Sequence, residues 1–283
     1  MEKSDFTVLI VGLGLMGGSM AKALAGFKNC RLLGVDTDKD VLSRACQDGV
    51  IEKGFVRFED VDSKLDLIIL CIKPGATLSF LQNADIDSKT LVTDVCGVKG
   101  YLKEAGAGRN FRYIGGHPMA GREVGGYVNS DAKLFENASY LLTPSKDSKK
   151  EDIELLKEMA SYIGCRKTVI TTEDEHDQMI AYTSQLMHVV ASALCDSPFL
   201  DRADGFSAGS LRDCTRVAKM DSKMWTELFM ANKYCLTECI DSFTDSMNSV
   251  KTALINGDAD GLHNFLENSC QRKRRYLNED VAR

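Results

Sequence analysis

Apolar and polar positions follow two different patterns along the chain. In the first half, short apolar runs alternate with helix-like segments, and strands are predicted at residues 6–11, 32–36, 65–72, 90–95, 113–115 and 167–171. The run 65–72 is continuous rather than alternating, which is typical of a parallel strand that is covered on both faces. Helices are predicted at residues 19–24 and 38–48. Alternating strands and helices predict an α/β fold with a doubly wound parallel sheet.

From residue 173 onwards the pattern changes, because strand signals vanish. Helices are predicted at residues 173–196, 209–217, 222–255 and 258–278. We therefore expect two domains, an α/β domain over residues 1–171 and an all-α domain over residues 172–283. A helical second domain of this kind is suited to form one wall of a cleft and a dimer contact.

A glycine-rich turn follows the first predicted strand. Gly12, Gly14 and Gly17 lie in the sequence GLGLMG, between that strand and a predicted helix. The first glycine permits a tight turn, the second lets the backbone approach a pyrophosphate, and the third lets the helix pack closely on the strand. The helix that follows would direct its free N–H groups at the phosphates. This context predicts a Rossmann-type, dinucleotide-binding domain rather than a purely structural turn.

The second predicted strand ends in Asp36, about 20 residues after the glycines. A carboxylate there accepts a hydrogen bond from the 2′-hydroxyl of NAD and repels the 2′-phosphate of NADP. No arginine follows, and Lys39 is the only nearby cation, so the sequence favours NAD as the cofactor. The alternative is that Asp36 caps the next helix, although Asp38 could fill that role instead.

Loops after later strands are further candidates, because ligands of open α/β sheets bind outside the carboxyl ends of the strands. One loop contains Cys71 and Lys73, and the next contains Asp94 and Gly97. The predicted cofactor-binding residues are accordingly Gly12, Leu13, Gly14, Leu15, Met16, Gly17, Asp36, Cys71, Lys73, Asp94 and Gly97.

Composition and charge argue against several classes of protein. The net charge of −6 and the absence of a long basic run argue against nucleic acid as a partner, and residues 272–275 are interpreted as a solvated helix face. The ten cysteines include no CxxC pair and form no ligand-spaced cluster with the four histidines, so we expect reduced, buried thiols and no metal. No apolar run is long enough for a signal peptide or a membrane span, which predicts a cytoplasmic protein.

A histidine stands among glycines and a proline in the segment GGHPMAGRE, residues 115–123. His117 directly follows a short predicted strand, so the loop would hold the imidazole over the carboxyl edge of the sheet. A lone histidine is more often structural than catalytic. A dinucleotide site in the same chain shifts the balance towards a catalytic role.

Five segments, in order along nearly the whole chain, resemble the prephenate and arogenate dehydrogenase family. They are GLGLMGGS, DVCGVKG, GGHPMAGRE, EHDQMIAYTSQLMHVVA and LRDCTRVAKMDSKMW, and the combination of HPMAG with TSQLMH is the most specific. The resemblance implies a Rossmann domain followed by a helical dimerisation domain, and a homodimer. It also implies an oxidoreductase that uses NAD for the oxidative decarboxylation of prephenate to 4-hydroxyphenylpyruvate, a step of tyrosine biosynthesis.

The resemblance also implies roles for single residues. His117 matches the catalytic histidine that accepts a hydrogen bond from the ring hydroxyl, and Arg216 matches the arginine that binds a prephenate carboxylate. The matched substrate-binding residues are Ser184, His188, Glu123, Gly209 and Asp213, and Asp213 is expected to reach the site of the partner subunit. Many relatives have a serine at the position of Gly97, where its hydroxyl supports the catalytic histidine, and this chain lacks that side chain.

Structural interpretations remain open for several of these residues. Arg216 could form an ordinary ion pair with Asp213, His188 could be a core histidine, and His176, near a predicted helix start, is interpreted as structural. Three functions also remain open. They are prephenate dehydrogenation, the same reaction on arogenate, which has an amino group in place of the side-chain keto group, and non-catalytic regulation by an NAD-binding protein.

Overall fold

The computed structural model describes residues 6–106 and 108–277. It divides into two compact units, Met1–Lys233 and Tyr234–Arg283. The predicted domain boundary between residues 171 and 172 stays a prediction, and residue 278 of the last predicted helix lies outside the described residues. Within the described ranges, no helix is both long enough and apolar enough to cross a membrane.

The first unit contains all the described strands and most of the helices. The strands are β1 (Thr7–Val11), β2 (Arg31–Val35), β3 (Lys53–Phe55), β4 (Leu67–Leu70), β5 (Leu91–Asp94), β6 (Arg112–Pro118), β7 (Ser139–Thr143) and β8 (Lys167–Ile170). The helices are α1 (Leu15–Ala23), α2 (Lys39–Gln47), α3 (Pro74–Asn83), α4 (Gly100–Gly106), α5 (Lys150–Tyr162), α6 (Glu173–Ile180), α7 (Leu186–Cys195), α8 (Gly209–Thr215) and α9 (Ser222–Ala231), followed by α10 (Lys233–Asn256) and α11 (Ala259–Tyr276). A π-helical segment, Ala181–Gln185, joins α6 to α7.

The strands form one sheet in the order β3-β2-β1-β4-β5-β6-β7-β8. Neighbouring strands are parallel except for β6 and β7, which run antiparallel. The strand order reverses between β1 and β4, and ligands of doubly wound sheets bind at this kind of switch point. The carboxyl ends of β1, β4, β5 and β6 therefore lie side by side along one edge.

Helices cover both faces of the sheet, because alternate residues of each central strand point to opposite faces. On β1, Val8 and Ile10 belong to one apolar core, and Leu9 and Val11 belong to the other. All four side chains are buried. This double burial is why the strands read as continuous apolar runs in the sequence, and the predicted doubly wound α/β fold is confirmed.

The structure corrects two of the predicted helices. The segment predicted as one helix over residues 222–255 is two helices, α9 and α10, which meet at Asn232. The buried Asn232 side chain donates hydrogen bonds to the carbonyl of Asp177 and to Oε1 of Gln185. The segment predicted over residues 173–196 contains the π-helical turn between α6 and α7. The break between α9 and α10 therefore coincides with tertiary contacts of one polar residue, Asn232. The pattern of apolar positions in the sequence does not reveal such contacts.

Several other features differ from the sequence predictions. Strands β3 and β7 and helices α3, α4 and α5 were not predicted, and β6 extends through Pro118, so that it includes His117. The cysteines are all free, as expected, but the prediction that they are buried holds only for Cys96. Six are partly exposed, and Cys46, Cys214 and Cys270 are exposed. The basic cluster on α11 is exposed, as predicted.

Candidate active site

The turn between β1 and α1 has no room for side chains at two of its glycines. Gly12 has a φ of +87°, and a β-carbon there would lie 2.7 Å from the carbonyl oxygen of Cys71. A β-carbon at Gly17 would lie 1.8 Å from the carbonyl oxygen of Gly12. The Gly12 N–H donates to the carbonyl of Val35 at 2.7 Å, which ties the turn to β2. The glycines thus bring the β1 turn, α1 and the β4 loop into close contact.

The start of α1 fits a pyrophosphate group. Gly14 is the N-cap and offers no side-chain hydrogen bond to the first-turn N–H groups of the helix. Nothing lies within 4 Å of the place where a β-carbon of Gly14 would stand. Uncapped N–H groups at a helix N-terminus, with open space in front of them, form an anion-binding site.

Asp36 lies beside this turn at the end of β2. Its Oδ2 accepts a hydrogen bond from the Leu13 N–H at 2.7 Å, and its Oδ1 accepts one from the Asp38 N–H at 2.9 Å. Asp38, and not Asp36, is the N-cap of α2, where it accepts from the N–H groups of Asp40 and Val41. The alternative that Asp36 caps the helix is therefore wrong. The carboxylate is held next to the glycine turn, where a ribose would lie.

The loops after β4 and β5 differ in what they expose. Cys71 packs against the glycine turn through its carbonyl, and burial raises the pKa of its thiol. Lys73 is the exposed N-cap residue of α3. Asp94 is fully buried, and its carboxylate accepts from the ammonium of Lys99 at 2.5 Å and from the Tyr113 hydroxyl at 2.7 Å. The Asp94 carboxylate is thus engaged inside the protein.

Gly97 lies next to His117. A β-carbon at Gly97 would stand 3.9 Å from Cε1 of His117 and 3.5 Å from Cδ2 of Leu228, which are ordinary contact distances. The backbone therefore has room for a serine side chain at this position. Steric crowding does not exclude a hydroxyl-bearing side chain here, so its absence follows only from the amino-acid sequence.

His117 lies near the end of β6 and is the first member of a hydrogen-bonded row of three side chains, which continues with His176 and Asp177. Its Nδ1 lies 3.0 Å from Nε2 of His176, and Nδ1 of His176 lies 2.8 Å from Oδ1 of Asp177. Burial lowers the pKa of His117 well below its usual value, and the positive charge of the buried Lys99 lowers it further. A neutral imidazole at neutral pH is the form that can accept a proton.

Two predicted substrate-binding residues, Ser184 and Glu123, and the predicted Arg216 lie near a second histidine, His188 on α7. Nδ1 of His188 donates to the carbonyl of Ser184 at 2.9 Å, and its ring stacks on Trp225 with 3.6 Å between the centroids. Burial lowers the pKa of His188, while the Ser184 carbonyl and the charge of Glu123 raise it and the charge of Arg216 lowers it. Arg216 pairs with Glu123 at 2.7 Å. These residues therefore lie close together.

Arg216 does not form the ordinary ion pair with Asp213 that its sequence also allowed. Its carboxylate partner is Glu123 rather than Asp213, and Asp213 lies 3.6 Å from the guanidinium of Arg212. Gly209 begins α8, and a β-carbon there would lie 3.8 Å from Asp213. The catalytic and ligand-binding roles expected of all these residues stay predictions.

Sequence reasoning missed the residues that lie behind the predicted site. His176 contacts His117, Asp177 contacts His176, and Lys99 is a fully buried cation in the same region. His176 does lie in the first turns of a helix, as predicted, but it is in contact with the candidate catalytic histidine. The available signal was the His-Asp pair itself, since a carboxylate next to a buried histidine commonly fixes its tautomer.

Two protein-family models match the amino-acid sequence, one after the other along the chain. The model described as "Prephenate dehydrogenase, nucleotide-binding domain" matches residues 20–169, and the model described as "Prephenate dehydrogenase, dimerization domain" matches residues 172–268.

Individual proteins are similar over nearly the whole chain. A prephenate dehydrogenase of Lactococcus lactis is 30% identical over 92% of this chain and 74% of its own length. One of Bacillus subtilis is 29% identical over 94% of this chain and 75% of its own length. The crystal structure of a prephenate dehydrogenase from A. aeolicus, in complex with hydroxyphenyl propionate and NAD+, superposes with a TM-score of 0.83 at 29% identity and covers 98% of this chain and 100% of that chain.

Proposed function

This chain belongs to the prephenate dehydrogenase family, and from that premise we propose that it catalyses the oxidative decarboxylation of prephenate to 4-hydroxyphenylpyruvate with NAD as the hydride acceptor. The predicted class, an NAD-dependent dehydrogenase, is confirmed by the family, and so is the predicted order of a Rossmann-type domain followed by a helical dimerisation domain. The substrate and the roles of single residues are the proposal.

The position of His117 carries the proposal. It lies at the carboxyl edge of the sheet, on the strand next to β5, and its Nδ1 is engaged by His176. Nε2 is therefore the ring nitrogen left for a substrate hydroxyl. The low pKa of His117, which burial causes, keeps the ring neutral at neutral pH, so that one of its two nitrogens is free to accept a proton. A positioned histidine of this kind contributes about 10²–10⁴-fold to a proton-transfer step.

The protein residues divide the work of the reaction. Bound NAD+ supplies the acceptor for the hydride that leaves the carbinol carbon. The glycine turn and the start of α1 hold its pyrophosphate, and Asp36 accepts a hydrogen bond from its ribose. His117 accepts the hydroxyl proton. Arg216 binds a substrate carboxylate, for which its planar guanidinium is well suited.

His117 acts in two directions over one turnover. The hydroxyl O–H bond breaks as its proton moves to Nε2, and the carbinol C–H pair of electrons leaves as hydride. The bond to the ring carboxylate then breaks, carbon dioxide departs, and its electron pair completes an aromatic ring that bears a phenolate. His117 returns its proton to that oxygen, so the histidine ends the cycle neutral.

The experiment that tests this function measures NADH formation by absorbance with purified protein, NAD and prephenate. Three parallel reactions contain arogenate in place of prephenate, NADP in place of NAD, or both replacements together. Rapid NADH formation with prephenate supports the proposal, and preference for arogenate replaces it with the second candidate below. If all four reactions are silent while NAD still binds, the chain is a non-catalytic NAD-binding protein.

Arogenate is a second candidate because of Glu123. Its carboxylate lies 2.7 Å from Arg216, the residue proposed to bind a substrate carboxylate. A carboxylate in that position would also attract the amino group that distinguishes arogenate from prephenate. Under this alternative, Glu123→Gln lowers kcat/KM for arogenate far more than for prephenate. An equal change for both substrates contradicts it.

Three further expectations belong to the proposal. Exposed apolar side chains on α10 and α11, among them Met247, Leu254, Ile255 and Leu266, support a homodimer, since a monomer seldom leaves so many uncovered. The two family models adjoin near residue 171, which supports a domain boundary there. Location in the cytoplasm remains a prediction from the sequence. Light scattering of the purified protein would measure the mass of the oligomer directly.

A further inference from the structure

Three side chains from two distant segments form a hydrogen-bonded row that ends at the candidate base. His117 is near the end of β6, and His176 and Asp177 lie on α6. His176 is 1% exposed and Asp177 is 5% exposed. The two contacts, 3.0 Å and 2.8 Å, both lie within hydrogen-bond range. A buried pair of this geometry behind a catalytic histidine resembles neither a surface contact nor a helix cap.

The far end of the row is held rigidly. Oδ1 of Asp177 accepts from the N–H of Lys99 at 2.8 Å, and Oδ2 accepts from the N–H of Gly100 at 2.7 Å. A β-carbon at Gly100 would come within 2.8 Å of Oδ2, so a glycine is what permits this close approach. Asn232 in turn donates to the backbone carbonyl of Asp177. The bonds from Lys99 and Gly100 fix the carboxylate, and the bond from Asn232 fixes the backbone that carries it.

The carboxylate decides which nitrogens carry protons. A carboxylate can only accept, so Nδ1 of His176 must be the donor in the bond to Asp177. Nε2 of a neutral His176 is then an acceptor, and Nδ1 of His117 must donate to it. Nε2 of His117 is left with its lone pair exposed. The opposite assignment would set the lone pair of His176 Nδ1 against a carboxylate 2.8 Å away, which is repulsive.

We propose that His176 and Asp177 are positioning residues that hold His117 as the Nδ1–H tautomer, with Nε2 ready to accept the substrate hydroxyl proton. This inference deepens the proposed function and rests on it. The pair takes the place of the hydroxyl that is absent at Gly97. It also stabilises the imidazolium that forms during turnover, because Nδ1–H of His117 faces an acceptor backed by the negative charge of Asp177.

The proton balance is simple in this arrangement. Only Nε2 of His117 gains and returns a proton, whereas the N–H bonds at Nδ1 of both histidines stay intact throughout the cycle. His176 therefore remains neutral, and Asp177 remains a carboxylate. The row orients and stabilises the base but does not conduct a proton away from it.

The first test reads the tautomer without any substrate. Long-range ¹⁵N–¹H correlation spectra of the imidazole rings, assigned with His117→Asn and His176→Gln, should show both histidines of the wild type protonated at Nδ1 at neutral pH. His117 in the Nε2–H form would overturn the proposal. This result does not depend on turnover, so it decides the inference even if the protein is silent with prephenate and the proposed function fails.

The second test separates positioning from folding. His176→Ala should lower kcat with the preferred substrate by about 10–100-fold, with little change in the KM for substrate or in NAD binding, because it removes only the support of the base. His176→Gln should recover part of that loss, since its carboxamide oxygen can accept from Nδ1–H of His117. His263→Gln, an exposed histidine on α11, is the matched control and should leave kcat unchanged.

The two variants also keep the test decisive if His176→Ala folds poorly. In that case His176→Gln, checked by circular dichroism and by NAD affinity, carries the comparison with the wild type. Unchanged kcat in a folded His176 variant would overturn the proposal. A parallel rise in KM and loss of NAD binding would do the same, since it would indicate a role in overall structure.

Discussion

Two glycines of the same turn should respond differently to substitution by alanine, Gly17 by a loss of stability and Gly14 by a loss of NAD binding. In Gly17→Ala, the new methyl group would lie 1.8 Å from the carbonyl oxygen of Gly12, whereas real β-carbons essentially never come closer than 3.0 Å. The turn or α1 must shift by more than an ångström. Overpacking of this kind costs about 1–3 kcal/mol. For a unit of this size, the midpoint of thermal unfolding should fall by about 2–12 °C, even without cofactor.

Gly14→Ala is the matched variant, because its methyl group enters open space. Gly14 has φ −70° and ψ −152°, which alanine tolerates, so the unfolding temperature of the free protein should hardly change. That space is where we propose that the pyrophosphate of NAD binds. NAD at about 100 times its Kd stabilises the wild type by about 2.7 kcal/mol, and this gain should be largely lost in Gly14→Ala. Differential scanning calorimetry with and without NAD measures both effects. Normal stability in Gly17→Ala, or an undiminished NAD response in Gly14→Ala, would refute the assignment of the turn.

The remaining predictions concern the cofactor, the base and the substrate carboxylate. Asp36→Ala should raise the NADP-to-NAD ratio of kcat/KM, and an unchanged ratio would remove Asp36 from cofactor selection. His117→Asn should lower kcat by about 10²–10⁴-fold while NAD still binds in equilibrium titrations, and undiminished turnover would exclude His117 from the mechanism. Burial lowers the pKa of His117, so the protonated form, which cannot act as a base, appears only in acid. The acidic limb of the pH profile of kcat/KM should therefore lie below the usual range for histidine. An acidic limb at the ordinary value for histidine would contradict this. Arg216→Ala should mainly raise the KM for prephenate, and an unaltered KM would count against its role.

Features that depend on neighbouring residues were predictable from the sequence. The glycine turn and the position of Asp36 after β2 follow from short segments with strong backbone preferences, whereas the loop predicted to carry His117 is the end of strand β6. The buried central strands were also found, because double burial leaves a continuous apolar run. Ends of elements were less predictable, since β6 continues past its apolar residues through the sequence GHP.

Features that depend on long-range packing were not predictable. The break at Asn232 looks like the continuation of a helix in sequence, and its cause is a side chain that bonds to segments 55 and 47 residues away. The antiparallel strand β7 has no pattern of its own that distinguishes its direction. Helix and strand propensities report local backbone preference and burial, and neither direction nor partner is encoded in them.

The sequence by itself determined the fold class, the nucleotide-binding turn and the histidine around which the candidate site is built, because each is encoded in a contiguous segment. Only the tertiary structure decided which side chains face each other. His117 meets His176 across 59 residues, and Arg216 meets Glu123 across 93 residues. The physical reason is that a motif constrains its own backbone, whereas a contact between distant side chains arises only when whole strands and helices pack together in one register.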